Sequence, residues 1–487
     1  MSAATILQRL AALGVNPASA ADDSRQVRPG DLFLAYPGDF ADGRAYIGDA
    51  IARGAVAVVW ETAGGFVWNE SWAVPNLAVI GLRDLAGPLS HAVLGQPSER
   101  LSLIAVTGTN GKTTCTQWIA RAHPRRCAII GTLGAGFADE LTETGFTTPQ
   151  ATTLARCLAD FLSRGAEACA LEASSIGIEE ARMNGARVDI AAFTNLTRDH
   201  LDYHGTMEAY AAAKAKLFRW PGLRAAVVNL DDAFAGELVA TTSASLKIGY
   251  TLERATASVD LLLSAEDIRH TDHGLAFTLH APQGQLAIET ALVGRYNIAN
   301  LLAVAGVLLA AGLPFAELEQ RLSGLQPPAG RMQRLGGSGR PLVVIDYAHS
   351  PDALDNALQA LREVARERGG RLVCVFGCGG DRDHGKRPQM GEIATRLADR
   401  VVLTSDNPRS ESPQAIIDEI RAGAPLAEVV VDRRRAITAA IAGAAQRDVV
   451  LLAGKGHEAY QEVAGAFHPF SDRNEAETAL AGWKEAA

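Results

Sequence analysis

The sequence predicts an α/β protein of three domains: a small α/β domain, a central domain of P-loop ATPase type, and a C-terminal Rossmann-like, doubly wound sheet. Three observations carry this. Five short apolar runs near the C-terminus alternate with helical patterns, which is how a parallel sheet with crossover helices reads. The stretch "TGTNGKTT" joins a strand-like run to a helical one. A chain of 487 residues also exceeds a single typical domain.

Residues 1–97 form the first domain. "PGDLFLAYPG" and "GAVAVVWE" read as strands, and "GRAYIGDAIARGA" reads as a helix closed by glycine. The polar, proline-containing "GQPSERL" is the linker. Residues 98–329 form the second domain, with strands expected in "LSLIAV", "ACALEA", "VDIAAFTN" and "RAAVVN" and a long helix after "GRYNIAN". Two prolines and a glycine in "GLQPPAGRMQRL" end it near Ala329. Residues 330–487 hold the five runs "PLVVIDYAH", "RLVCVFGCGG", "DRVVLTSDNPR", "AEVVVDRRR" and "DVVLLAGKGHE". In these runs the polar and glycine-rich residues follow the strand. Strand C-termini of a parallel sheet share one edge, so "DYAHSP", "GCGGDRD", "SDNPR" and "GKGHE" should converge there.

Composition narrows the class. Hydrophobic residues are 48% and charged residues 21%, a globular balance rather than a disordered one. A formal charge of −9 disfavours a nucleic-acid or anionic-membrane surface. Six scattered cysteines lack metal or redox spacing and read as buried thiols. The opening "MSAATILQRLAALGV" has helical spacing without a signal-peptide pattern, and no run reaches the ~18 apolar residues of a span. The expectation is a cytoplasmic protein without membrane insertion.

In "TGTNGKTT" the loop Gly108, Thr109, Asn110, Gly111 would turn backbone N–H groups and a helix N-terminus toward phosphate. Lys112 would meet the β/γ-phosphates, the Thr113 hydroxyl would ligate Mg²⁺, and Thr114 follows. The strict pattern has glycine where Val106 stands. Glu172, ending the next strand, is either a ligand of the same magnesium or a surface residue. Asp199, His200, Asp202 and His204 cluster in "RDHLDYHG" without zinc spacing. Lys214 and Lys216 lie on one helical stretch, and the residues themselves favour neither.

Together "TGTNGKTT", "LEASS", "FTNLTRDHLDYHGTMEAYAAAKAKLF", "GRYNIANLLA", "GRMQRL", "DYAHSPDAL", "GCGGDRDHGKRPQMG", "SDNPR" and "AGKGHEAYQ" resemble the Mur ligase family over the whole chain. They are most similar to its members that add the third residue to UDP-N-acetylmuramoyl-L-Ala-D-Glu. The resemblance implies a UDP-binding first domain, an ATP-binding middle domain and an amino-acid-binding last domain. It implies that Ser24 and Asp39, Phe40 and Ala41 of "GDFA" contact the uridine nucleotide. Thr147, Thr148, Ser174, Glu180 and Arg182 would hold the rest of that substrate. Ile176 and Glu180 depart from the family pattern of histidine and glutamine.

The resemblance further implies ATP contacts from Asn297, Arg331, Asp346 and His349. It implies two Mg²⁺ ions held by Thr113, Glu172, His200 and Lys214, the last carbamylated by CO₂. Lys112, Glu172, His200 and Lys214 are then the catalytic set. A carboxylate would attack the γ-phosphate of ATP, and the amine of the incoming amino acid would displace phosphate from the acyl phosphate. For that amino acid, meso-diaminopimelate is expected over L-lysine. Arg409 suits its far carboxylate, and Arg382, Asp406, Asn407, Pro408, Gly454 and Glu458 complete the pocket. A monomer is expected. Folylpolyglutamate synthetase and a non-catalytic nucleotide binder are the rival readings. "DSR…PGDLF" and "SDNPR" disfavour the first, and the intact catalytic set disfavours the second.

Overall fold

The computed structural model describes residues 1–38, 41–138, 140–253, 258–271 and 274–484. Its three main sheets follow one another along the chain.

The first sheet has four parallel strands in chain order: Ser19–Ala21, Asp31–Ala35, Ala57–Glu61 and Asn76–Val79. Helices Ala3–Ala12 and Leu82–Val93 cover one face through Ile6, Leu10, Leu82 and Leu89, all buried. Helix Ile47–Ala52 covers the other face. Both expected strands are present. The "GQPSERL" linker is less free than its composition suggests, because Pro97 and Ser98 are buried. Ser98 Oγ meets His91 Nδ1 and accepts from the Arg187 amide.

The second sheet has eleven strands. Its parallel core runs Leu261–Thr271, Leu246–Thr251, Ala225–Asn229, Ile190–Phe193, Ser102–Thr107, Ala168–Glu172 and Cys127–Gly131. Antiparallel strands extend both ends: Gly274–Ala281 and Gly284–Thr290 on one side, Gly134–Phe137 and Glu140–Thr142 on the other. Helix Arg295–Ala310 is apolar nearly all round and sits against this sheet with Leu301, Leu302, Val304 and Leu308 buried. Each such side chain contributes about 1.5–3 kcal/mol, so tertiary burial rather than amphipathicity places this helix.

The third sheet runs Gln333–Gly336, Leu342–Asp346, Val449–Ala453, Leu372–Phe376, Arg400–Leu403 and Glu428–Val429. All five expected strands form and pair in parallel, the fourth as a two-residue edge. The sheet is nonetheless mixed. "QRLG", which offered no strand signal beyond its place after a turn, pairs antiparallel with Leu342–Ile345 as an edge. A hairpin of Tyr460–Val463 and Ala466–Pro469 stands outside the sheet. All six cysteines are free. Among the described residues no helix is long and apolar enough to cross a membrane.

Candidate active site between two sheet edges

The strand Ser102–Thr107 leads into a tight loop and then helix Lys112–Ala122. Gly108 has φ +147° and lies directly against Thr194 Oγ1, where a Cβ would overlap. Only glycine allows that approach. The neighbouring strand end anchors the loop: Thr109 N donates to Asn195 O at 2.8 Å and Asn110 N to Asn195 Oδ1 at 2.9 Å. Lys112 curls back, with Nζ donating to the carbonyls of Gly108 and Thr109, each at 2.8 Å. Burial holds its pKa below the usual range. Thr114 is buried on the same helix.

Thr113 Oγ1 donates to Glu172 Oε2 at 3.0 Å. Glu172 is buried, so it is not a surface residue. Its carboxylate also accepts from Thr132 N at 2.9 Å and Thr132 Oγ1 at 3.1 Å. Gly131 leaves the room, since a Cβ there would overlap Glu172 Oε1. Arg331, from beyond the second sheet, donates from Nη2 to Thr113 Oγ1 at 3.1 Å. Its guanidinium lies 4.4 Å from the Tyr347 ring centroid, and its Nε is buried without a partner.

Lys214 and Lys216, which the sequence left equal, separate here. Lys216 pairs with Glu179 at the surface, 2.6 Å away. Lys214 is 1% exposed; its Nζ donates to Gly108 O at 2.9 Å and lies 4.2 Å from the Tyr210 ring centroid. Burial, reinforced by the Lys112 charge, pushes its pKa far below the usual lysine value. His200 caps helix Leu201–His204 in the left-handed region, φ 53°. Burial lowers its pKa to about 4, so the imidazole is neutral at pH 7. Asp199 Oδ2 stands between His200 Nε2 at 3.6 Å and His349 Nε2 at 3.7 Å. Burial alone would raise that carboxyl. The nearby His349, with His200 and Lys386, holds it well below the usual range.

Other nucleotide-side expectations are placed less directly. Asn297 spends its amide on Val293 O at 2.8 Å and accepts from Asn300 at 3.3 Å. Asn300 stands nearer the loop: its Oδ1 faces Gly111, 2.6 Å from where a Cβ would be. One turn along from Asn297 on the same helix, it was the residue that motif reading passed over. Asp346 accepts from the Met332 amide at 2.7 Å, and burial raises its carboxyl. His349 Nδ1 meets Tyr347 O at 2.8 Å.

On the first-domain side, Asp22 accepts from Tyr36 at 2.7 Å and from Thr152 at 2.6 Å. This ties the buried Ser24 segment to helix Ala151–Ser163 of the central domain. Ala41 is exposed and bonds Gly38; Asp39 and Phe40 lie outside the described residues. Thr148 Oγ1 donates to Glu172 O at 2.7 Å and meets Ser174 Oγ at 3.0 Å, while Thr147 Oγ1 meets Thr132 Oγ1 at 3.1 Å. Arg182 donates to Thr148 O at 2.9 Å. Glu180 is turned onto Arg182, 2.8 Å from Nε, so its carboxylate balances that arginine. It departs from the family pattern without placing a bare negative charge in the site.

In the third domain the four strand-end loops do converge. Gly454 N donates to Asp346 O at 3.1 Å, and Gly380 N to Asn407 O at 2.9 Å. Asn407 Nδ2 donates to Glu458 Oε2 at 2.8 Å. Lys455, fully buried and absent from the expected set, donates to both Asn407 Oδ1 at 2.9 Å and Glu458 Oε2 at 2.8 Å. Asp406 Oδ1 accepts from the Asn407 amide at 2.7 Å, and its other oxygen packs on Gly454. Pro408 is buried and its carbonyl backs onto Gly380. Arg409 Nη1 donates to Gly380 O at 2.7 Å. Arg382 is half exposed, with Nη1 3.8 Å from Asp202 of the central domain. Beneath the crevice the buried Arg433 pairs with buried Asp472 at 2.6 Å and donates to Ala453 O at 2.9 Å. Arg387, also buried, grips Glu411 at 2.8 Å and donates to Gly379 O at 3.2 Å.

The two C-terminal sheet edges thus face each other. Asn110 Nδ2 donates to Asp352 Oδ2 at 2.8 Å, and Arg198 Nε lies 3.1 Å from Asp383. A phosphate loop with a lysine, a threonine and a buried carboxylate looks across the gap at an arginine–asparagine–glutamate crevice.

Comparison with known proteins places all three parts of the chain in one family. The chain matches the Mur ligase family catalytic domain over residues 22–92, the Mur ligase middle domain over 106–308 and the Mur ligase glutamate ligase domain over 330–456. It is 51% identical over 468 residues to the UDP-N-acetylmuramoyl-L-alanyl-D-glutamate--2,6-diaminopimelate ligase of Chromobacterium violaceum, covering 95% of this chain and 94% of the relative. The Pseudomonas aeruginosa protein of the same name is 51% identical over 468 residues, with the same coverage. A solved structure of a ligase of that name superposes with a TM-score of 0.67 at 38% identity, covering 96% of this chain and 95% of the other. The chain belongs to the Mur ligase family.

Proposed function

We propose that this protein is an ATP-dependent ligase that joins meso-diaminopimelate to the D-Glu side-chain carboxylate of UDP-N-acetylmuramoyl-L-Ala-D-Glu, in the cytoplasmic synthesis of peptidoglycan precursor. The observation that carries the reading is the opposition of two built sites across one gap: Lys112, Thr113 and Glu172 on one edge, Asn407, Arg409 and Glu458 on the other. Relatives about half identical over nearly the whole chain bear that activity in their names.

ATP would lie on the loop, its phosphates facing the amides of residues 108–113 and the N-terminus of helix Lys112–Ala122. Lys112 Nζ is within reach of the same space and would trade its two carbonyl partners for phosphate oxygens. The D-Glu carboxylate oxygen attacks the γ-phosphorus, the bond to the β-phosphate oxygen breaks, and ADP leaves. The amine nitrogen of the amino acid then attacks the acyl carbon, and phosphate departs as the peptide bond forms. Ser174, just past the strand end at Glu172, and Arg182, beyond the short helix Ser175–Glu179, would hold the acceptor, with Ser24, Asp39, Phe40 and Ala41 at the uridine end. The crevice would aim the amine, Arg409 reading the far carboxylate and Glu458 the ammonium beside it.

The residues fit magnesium. One buried carboxylate and one hydroxyl beside a phosphate loop match a small cation that keeps waters and takes phosphate oxygens. Among the described residues no group of three or more His, Cys, Asp or Glu forms a cage. Thr113 and Glu172 would hold the first ion, and His200 with Lys214 the second. Held by these residues, Mg²⁺ would supply positive charge to offset that on the phosphoryl group in transfer. Lys214 suits a carbamate because CO₂ adds only to a neutral amine, and burial favours the neutral form.

Phosphate release with the UDP-dipeptide and ATP, comparing meso-diaminopimelate with L-lysine, tests the reading. The expected result is turnover with diaminopimelate, weak turnover with lysine and little without an amino acid. Preference for lysine would remove the assigned substrate, and fast ATP hydrolysis without any amino acid would remove the acyl-transfer scheme.

A further inference from the structure

Arg409 is the residue on which the amino-acid assignment turns, and it is held unusually firmly for a loop arginine. Its backbone is left-handed, φ 51°, a conformation that a non-glycine residue keeps only when its surroundings impose it. What imposes it is the hairpin that follows "GKGHE". Arg409 N donates to Glu462 O at 3.1 Å, and Ala464 N donates to Arg409 O at 2.7 Å. The Glu462 amide donates in turn to Asn407 Oδ1 at 3.0 Å. The Glu462 carboxylate lies 3.2 Å from Arg409 Nε. One glutamate therefore touches both residues of the loop that face the incoming amino acid, and does so with its N–H, its carbonyl and its side chain.

The donor count of the guanidinium shows what this accomplishes. Arginine carries five N–H groups in a planar fork. The Glu462 carboxylate faces Nε as an ion pair at 3.2 Å, and Gly380 O takes one Nη1 hydrogen at 2.7 Å. Nη2 makes no hydrogen bond among the described residues, so that side of the fork is left for a second carboxylate. Without Glu462 the Nε side would be the competing docking face, and the long side chain would lose one of its two anchors.

We propose that Glu462 is a positioning residue for the incoming amino acid, which aims the free end of the Arg409 fork at the substrate's far carboxylate. This rests on the crevice being the diaminopimelate pocket. The glutamate's charge opposes the substrate carboxylate, so aim and repulsion predict opposite signs when it is removed. Both anions would meet one guanidinium from different sides, and the fixed direction of the fork is the stronger contribution to binding.

Steady-state kinetics of the full-length enzyme decide it, with Glu462→Ala, Glu462→Gln and Arg409→Ala. Glu462→Ala is expected to raise KM for meso-diaminopimelate about tenfold, the loss of one charge-assisted contact. kcat and KM for ATP should move less than twofold. Glu462→Gln keeps an acceptor for Nε and is expected to recover KM to within threefold of the parent. Unchanged or lowered KM in Glu462→Ala would overturn the proposal, as would a Gln variant no better than Ala, which would assign the effect to charge rather than aim. A matching change in KM for ATP would mark a general structural loss and also overturn it. Arg409→Ala separates the two levels. If it leaves KM for diaminopimelate unchanged, the pocket assignment itself fails; if it raises KM while Glu462→Ala does not, only the role of Glu462 falls.

Discussion

The loop proposed for phosphate and the crevice proposed for the amino acid face one another, yet they are built from different material. The loop is backbone: Gly108 pressed on Thr194, amides anchored to Asn195, and one lysine folded on loop carbonyls. The crevice is a lattice of charged and amide side chains, Asn407 with Lys455 and Glu458, Arg433 with Asp472, and Arg387 with Glu411. A backbone site binds a ligand common to many proteins, because every chain has amides. A side-chain lattice reads a particular ligand, and depends on each member being present.

If that contrast holds, the loop should fail catalytically and the lattice structurally. Lys112→Met should lower kcat by about 10³-fold, the scale expected when a donor to the transferring phosphoryl group is removed, while thermal unfolding stays near the parent. Phosphate-release kinetics together with a melting curve would check both halves. Arg433→Met leaves Asp472 buried without its partner, which costs about 3–5 kcal/mol. Calorimetry should show an earlier transition, and Arg433→Met/Asp472→Leu should recover much of it. An Arg433→Met protein as stable as the parent would break the comparison. Asn110→Ala sharpens it, because this side chain bridges the two regions. Losing its bond to Asp352 removes about 0.5–1.5 kcal/mol. KM for ATP should therefore rise only a few-fold, and melting should fall by less than in Arg433→Met.

The same contrast explains what could be read in advance. The loop's lysine, threonine and Glu172 lie in short motifs at strand ends, where parallel-sheet topology alone says they meet. The five strands of the last domain were legible for that reason too. Gln333–Gly336 was not, because an antiparallel edge is chosen by what it pairs with rather than by its own pattern. Lys214 and Lys216 looked alike in sequence, and only tertiary burial separates them. Lys455 sat inside a recognised motif, yet its role comes from partners 48 and 3 positions away along the chain. Asn300 and Glu462 belong to the same class: the contact that brings Asn300 to the loop, and the one behind the role proposed for Glu462, are a neighbour's geometry, of which sequence spacing carries no trace. Glu180, a mismatch by pattern, is explained by an arginine two residues on.

The Arg433–Asp472 pair adds a constraint in time. Asp472 begins helix Asp472–Gly482, made long after Arg433 and after every loop of the crevice. Until that helix docks, the Arg433 guanidinium under Ala453 lacks its paired carboxylate and keeps only the charges of Asp406 and Glu458, which makes its burial less favourable. During synthesis the phosphate loop can therefore close as soon as its own sheet is complete. The crevice waits for the final helix, so an interrupted chain would carry the loop proposed for the nucleotide without a finished crevice for the proposed amino acid.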